Sequence, residues 1–197
     1  MPNWCSNTVK IQSNKEFSNV LKGLIDKDSI INLFFKKTLD IDNSSSSNWY
    51  HDNCRDIGCK WDIDAYVTFS KDDSIFITFD SPWSPPIAGL IELSESYKLN
   101  LEFDYDEPNI CFIGKGSINA NGDVDQDIWQ GNEYLKGLYQ LHEDINTIYD
   151  YIDCYGCIDS FLTEYADDLS DADFNDLKIA IQQEDNPTVI RLLNLEN

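Results

Sequence analysis

Polar and apolar positions alternate over residues 5–13 (C-S-N-T-V-K-I-Q-S), which predicts a first strand. Phe17, Val20, Leu21, Leu24 and Ile25 then recur at helical spacing behind Asn14, a side chain suited to an N-cap, and predict a helix over 15–26. Ile30 to Leu39 is apolar and reads as a short helix, and D-N-S-S-S-S-N at 42–48 as an exposed loop. Two alternating runs at 62–70 and 74–80 are joined by K-D-D, which is hairpin chemistry. D-S-P-W-S-P-P (80–86) leads into a helix ending near Tyr97, with Ser84 as its expected N-cap and a proline at its first position. Trp83 is expected to close one end of the core, with a solvent-facing anchor as the alternative. Strands at 99–106 and 109–118 complete the order β-α-β-β-α-β-β. That order predicts an α+β fold: a ferredoxin-like split βαβ antiparallel sheet with an added strand.

The period changes past Asn119. N-A-N-G-D-V-D-Q-D reads as a loop, and Leu138, Leu141, Ile145, Ile148, Ile152 and Tyr155 step by three and four as one apolar helical seam. Ile158, Phe161, Leu162 and Tyr165 suggest a further helix. S-D-A-D at 170–173 resembles a capping box with Asp in place of Glu, and Pro187 opens a short terminal helix. The expected organisation is a ferredoxin-like domain over 1–118 with a Ser-rich inserted loop, followed by an acidic helical region over 119–197.

Charge changes this picture most. The chain of 197 residues carries 36 acidic and 14 basic residues, a net charge of −22. Residues 119–197 hold 18 of the acids against three basic residues, Lys136, Lys178 and Arg191. Such a surface repels nucleic acid and anionic membranes and attracts basic surfaces. The N-terminus lacks a basic region followed by an apolar core, and no apolar run approaches the roughly 20 residues of a membrane span, so an intracellular, soluble protein is expected. In that setting the six cysteines are expected as free thiols.

Motifs for chemistry are weak. Cys154 and Cys157 have half-zinc-site spacing, but His51, Cys54 and Cys59 make an odd second half. Flanking Asp153 and Asp159 disfavour a redox pair. Asp123, Asp125 and Asp127 match the start of a calcium loop, yet Ile128 replaces its glycine and Tyr134 its final Glu. Neither His51 nor His142 sits in a catalytic motif, and Gly-rich phosphate loops are absent. No metal or cofactor is expected. Phe69, Phe76, Phe79, Phe103 and Phe112 lie on strands where RNA-binding sheets stack bases, but the negative field opposes phosphate, and the core is their expected place.

Four stretches stand in a telling order: M-P-N-W-C-S-N at the start, C-K-W-D at 59–62, S-P-W-S-P-P at 81–86 and L-x-F-x-Y-x-E-P…F-I-G at 101–114. Together they resemble the YubB-like ferredoxin-fold family of phages and conjugative plasmids, over roughly residues 1–118. The resemblance implies a ferredoxin-like fold and an origin in a mobile genetic element; the expected location is the host-cell cytoplasm. It implies no activity.

The expected function is therefore non-enzymatic: an interaction protein inhibiting a host nucleic-acid-targeting defence system, of the anti-CRISPR or anti-restriction kind, by mimicking nucleic acid. DNA carries a charge per about 1.7 Å of axis and a helix rises 1.5 Å per residue, so acidic helices track phosphates coarsely. Glu143, Asp144, Asp150, Asp153, Asp159, Glu164, Asp167, Asp168, Asp171, Asp173 and Asp176 are the candidates for contacting a basic groove in a nuclease or ribonucleoprotein, without direct nucleic-acid or membrane binding. The alternative expectation is a small-ligand binder or enzyme with carboxylates or cysteines between the sheet and the C-terminal helices. A third is a dimer formed through an open sheet edge.

Overall fold

A computed structural model describes residues 3–12, 14–154 and 169–195. Strand β1 (Trp4–Ile11) leads to helix α1 (Lys15–Leu24), which starts where expected: the Asn14 side chain accepts from the Phe17 backbone N–H at 2.9 Å. Strands β3 (Ala65–Phe69) and β4 (Ile75–Pro82), helix α4 (Ile87–Tyr97) and strand β5 (Leu101–Glu107) follow. Between α1 and β3 the chain adds the two-residue strand β2 (Ile30–Ile31) and helices α2 (Phe34–Leu39) and α3 (Trp49–Asp56). Strands β6 (Phe112–Ile118) and β7 (Val124–Gln130) extend the far side, giving the sheet order β2-β3-β4-β1-β5-β6-β7. Strand β1 lies between β4 and β5, antiparallel to both, and β3 pairs antiparallel with β4. Each helix-linked strand pair is thus split by a third strand, the ferredoxin-like arrangement.

The alternation along β1 decides which face is covered. Cys5, Asn7, Val9 and Ile11 are buried with Ile77, Phe79, Phe103 and Tyr105, while Trp4, Ser6, Thr8 and Lys10 point to the other, open face. Phe17 and Leu21 of α1, Phe34 and Phe35 of α2, and Leu90 and Leu93 of α4 complete the core. Phe79 and Phe103 lie in it as expected, whereas Phe69, Phe76 and Phe112 are only half-buried.

The chain divides into two compact units, Met1–Asn109 with Gly114–Asp127, and Ile110–Ile113 with Ile128–Asn197. The second unit contains α5 (Tyr134–His142), α6 (Ile145–Cys154), α7 (Asp171–Gln183) and α8 (Asn186–Leu192) around a core including Tyr134, Leu138, Ile148, Ile152, Leu177 and Val189.

Several elements differ from the sequence expectation. The apolar seam is two helices, because Glu143 adopts a left-handed conformation (φ 52°) and Asp144 bonds the backbone N–H of Asn146. Residues 119–127 are a turn followed by β7. The Asn119 side chain accepts from the N–H groups of Asn121 and Asp123, Gly122 takes φ +83°, and the acid run then pairs as a strand. Directly after the Ser-rich stretch, Trp49, Tyr50 and His51 open a helix, α3, that the sequence reading did not include. Ser84 does not cap α4; Pro86 occupies the cap position, and Ser84 instead offers its carbonyl to the Ser81 hydroxyl at 2.7 Å. Ser170 does cap α7, accepting from the Asp173 N–H and donating to its carboxylate at 2.6 Å. The expected helix around Ile158–Tyr165 and the Cys154–Cys157 pair's second member lie outside the described residues.

Candidate functional site

Three of the four quoted stretches meet at one end of the sheet. Asn7 is buried on β1, and its side-chain amide donates to the Cys5 carbonyl at 2.7 Å, the Phe79 carbonyl at 3.3 Å and the Ser81 hydroxyl at 2.9 Å. Ser81 in turn holds Ser84, so M-P-N-W-C-S-N fixes the path of S-P-W-S-P-P. The chain reverses there with Trp83 at φ +66°, its N–H donating to the Asn3 carbonyl at 2.9 Å. A bulky residue in that region is an outlier that surrounding structure must hold in place. Asn7→Ala leaves buried polar partners unsatisfied, and should destabilise the protein by about 1–3 kcal/mol in urea denaturation.

C-K-W-D comes to the same place. Cys59 donates to the Trp61 carbonyl at 3.0 Å, and the Asn53 side chain to the Lys60 carbonyl at 2.8 Å, which pins the turn after α3. The Trp61 ring stacks on Trp83 with centroids 6.1 Å apart and planes 19° apart. The Lys60 ammonium lies 4.5 Å from the Trp61 ring centroid, a cation–π contact. Asp62 accepts from the N–H groups of Phe35 (3.0 Å), Lys36 (2.7 Å) and Ile63 (2.8 Å), tying α2 to the turn. Burial nonetheless holds its carboxyl above the ordinary range, those amides offsetting part of the effect.

The result is a groove of about 640 Å³ on the open face, lined by Trp4, Trp61, Tyr66, Leu33, Asp62, Asp64, Asp80 and their neighbours, with no lysine or arginine among the described residues that line it. Trp4 is 50% exposed, Trp61 38%, Tyr66 56% and Trp83, beside it, 45%, so the aromatic surface is available rather than filled by core packing. The expectation that Trp83 closes the core is corrected: the left-handed turn throws its ring outward onto Trp61. Register continues the acidic character along the face. Ser6 is flanked by Asp80 and Asp106, Thr8 by Asp104, and Lys10 by Glu102. Ser6 donates to Asp80 at 2.9 Å, and Lys10 pairs with Glu102 at 2.9 Å, a hydrogen bond that raises the lysine's pKa.

Of the acids expected on the C-terminal helices, five have described side chains. Glu143, Asp144, Asp150 and Asp176 are exposed, with Glu143 ending α5 and Asp144 bonded to Asn146. Asp173 is half-buried against Ser170. Asp153 and Asp171 fall on α6 and α7, whereas Asp159, Glu164, Asp167 and Asp168 lie outside the described residues. Among the described residues no three His, Cys, Asp or Glu side chains are grouped to hold a metal ion, and no helix is long and apolar enough to cross a membrane. Asp125 and Asp127 lie on β7.

Cys5, Cys54, Cys59 and Cys111 are free thiols. Burial pushes Cys5 and Cys59 up to about 12, so neither supplies a thiolate at neutral pH. At pH 8 an alkylating reagent should modify exposed Cys54 and spare Cys5 and Cys59 until denaturant is added, as read by mass mapping. In the unfolded chain these thiols ionise near the ordinary 9.0. Their contribution to stability is therefore complete below that pH and is lost as pH rises toward 12.

The sequence missed Trp4, Trp61, Tyr66 and Asp80 as site residues. One signal was present: Trp4, Trp61 and Trp83 each stand in a quoted stretch, and Trp4 falls on the polar side of the β1 alternation.

Fold and face together define a ferredoxin-like α+β domain with exposed aromatic rings beside carboxylates at one end of its sheet. Residues 60–151 match the model of a family described as the ferredoxin-like domain in Api92-like protein. Among solved structures, a crystal structure of a protein api92 from Yersinia pseudotuberculosis is similar at 22% identity and a TM-score of 0.38, over 44% of this chain and 32% of that one. The chain thus spans about a third of that relative's length. No curated protein matches it.

Proposed function

We propose that this is a non-enzymatic interaction protein that holds a basic surface of another protein. Within that class we infer a phage- or plasmid-encoded inhibitor of a host nucleic-acid-targeting defence system, of the anti-CRISPR or anti-restriction kind, in keeping with the YubB-like stretches. The observation that carries the reading is the open sheet face, where Asp80, Glu102, Asp104 and Asp106 surround Ser6, Thr8 and Lys10. A sheet that bound nucleic acid would need cations there to neutralise phosphates. On this one the cation of Lys10 is already paired with Glu102 and carboxylates flank Ser6 and Thr8, in a protein of net charge −22. The exposed acids of the C-terminal helices are a second contact region in this proposal.

The test is capture of host proteins on the full chain at low salt and at about 1 M salt, where the Debye length falls to about 3 Å, followed by assay of the captured nuclease's cleavage. Salt-sensitive capture with inhibited cleavage supports the reading. Capture that survives charge reversal of both Asp80/Asp104/Asp106 and the six acids from Asp159 to Asp173 refutes it.

A second reading has one observation in its favour. The groove's volume of about 640 Å³ is that of a small-molecule site. The buried, protonated thiols of Cys5 and Cys59 give that reading no nucleophile.

A further inference from the structure

We propose that the groove at the end of the sheet receives an arginine side chain presented by the protein partner, its guanidinium stacked against the exposed indole rings and forked to a groove carboxylate. The inference rests on the reading of the protein as a binder of basic protein surfaces and names the anchor of that contact.

Four observations carry it. Indole and phenol groups at Trp4, Trp61 and Tyr66 share one groove with the carboxyl groups of Asp64 and Asp80, and none of the described residues lining it is cationic. The aromatic cluster already attracts a cation of its own chain: the Lys60 ammonium sits over Trp61 and, at 5.8 Å, over Tyr50. Trp61 and Trp83 are exposed yet stacked on each other, which leaves these two rings less freedom to lose on binding. The groove also opens onto a face where Ser6 lies between Asp80 and Asp106 in register and donates to Asp80 at 2.9 Å.

The chemistry selects among occupants. An apolar side chain would strip water from carboxylates without replacing their hydrogen bonds. A nucleotide would stack, but its phosphates would face carboxylates instead of cations. Lysine offers a point charge that stays strongly hydrated. Arginine is planar, more weakly hydrated, stacks on aromatic faces and presents a fork matched to a carboxylate.

The test uses the full chain labelled with 15N and follows the five tryptophan indole N–H signals, assigned by single Trp→Phe variants. The probes are the capped tripeptides Gly-Arg-Gly and Gly-Lys-Gly, the isosteric Gly-citrulline-Gly, and uridine monophosphate. The expected result is a saturable shift of the Trp4 and Trp61 signals with the arginine peptide and a several-fold weaker response to the lysine peptide. Citrulline and the nucleotide should leave both signals in place. Trp61→Ala and Asp80→Asn should each weaken arginine binding at least fivefold, while Trp61→Phe, which keeps a ring, should retain most of it. Equal shifts with citrulline or the nucleotide overturn the inference, as does arginine binding unchanged in both Trp61→Ala and Asp80→Asn. The two readings fail separately. If a basic nuclease is captured but the arginine peptide moves no indole, the groove inference alone falls. If the arginine peptide binds but no basic protein is captured or inhibited, the interaction-protein reading falls instead.

Discussion

Phe34→Ala is expected to destabilise the protein by about 3–5 kcal/mol, the range for emptying a buried aromatic site. Phe34 is fully buried at the start of α2, with its ring 5.1 Å from Phe35 and 6.5 Å from Phe79. It therefore joins the inserted helix to strand β4, and its loss also removes aromatic pairing worth about 0.5–1.5 kcal/mol per pair. Nothing small stands ready to collapse into the space: Phe35 is itself held against Gly89, where an added Cβ would lie 2.7 Å from that ring. In thermal unfolding the change should lower Tm by roughly 6–20 °C for a chain of this length. Phe34→Leu, which leaves a smaller void, should cost clearly less. A loss below 1 kcal/mol for the alanine variant would show that α2 is not part of the cooperative core.

Gly114→Val is expected to destabilise by about 3 kcal/mol, at the upper end for overpacking. Gly114 closes the F-I-G block, and Tyr105 supplies the tyrosine of L-x-F-x-Y. A Cβ at position 114 would fall 2.5 Å from Tyr105 Cζ and 2.8 Å from the Asp127 backbone carbonyl oxygen. Backbone cannot retreat as a side-chain tip does, and Tyr105 is only 1% exposed, so the strain has no cheap outlet. A double variant, Gly114→Val with Tyr105→Leu, should recover part of the loss, because it removes the ring but leaves the carbonyl contact. Urea denaturation of the single and double variants measures that coupling. Full additivity would mean that the ring and the glycine do not answer each other. These two residues give the 101–114 stretch a packing explanation, and they separate it from the three stretches that build the groove.

Local periodicity made much of the fold legible. Alternation in C-S-N-T-V-K-I identified β1 and which of its residues are buried, because a strand turns alternate side chains to opposite faces. Asn14 and Ser170 marked helix starts because a cap depends on residues three apart in the chain. The seam from Leu138 to Ile152 correctly placed Leu138, Ile148 and Ile152 in one core. It could not show the break at Glu143, because the three-four spacing runs on across a turn that reverses only the backbone.

The candidate site was much less legible. Trp4, Trp61 and Trp83 are separated by tens of residues and belong to a strand, a turn and a strand-to-helix junction. Each alone reads as an ordinary large apolar residue, and the expectation for Trp83 was burial. Its ring faces out because a single residue takes positive φ, a choice set by the Asn3 and Ser81 contacts and not by its neighbours in sequence. The charge of the acidic helices is dense in sequence, but density along a chain does not say which side chains meet in space, and Asp159, Glu164, Asp167 and Asp168 lie outside the described residues.

By itself, the sequence determined the α+β class, the order of the core strands and helices, and the negative sign of the protein's field. Those properties are local or additive, and each residue contributes the same whatever its distant neighbours are. The tertiary structure decided where that field meets an aromatic surface. Placing β1 between β4 and β5 brings Trp4 beside Pro82 and sets Ser6 between Asp80 and Asp106, and the pinned C-K-W-D turn lays Trp61 on Trp83. Strand order and register are long-range choices, made by burying one face of the sheet, and the open face inherits its chemistry from them.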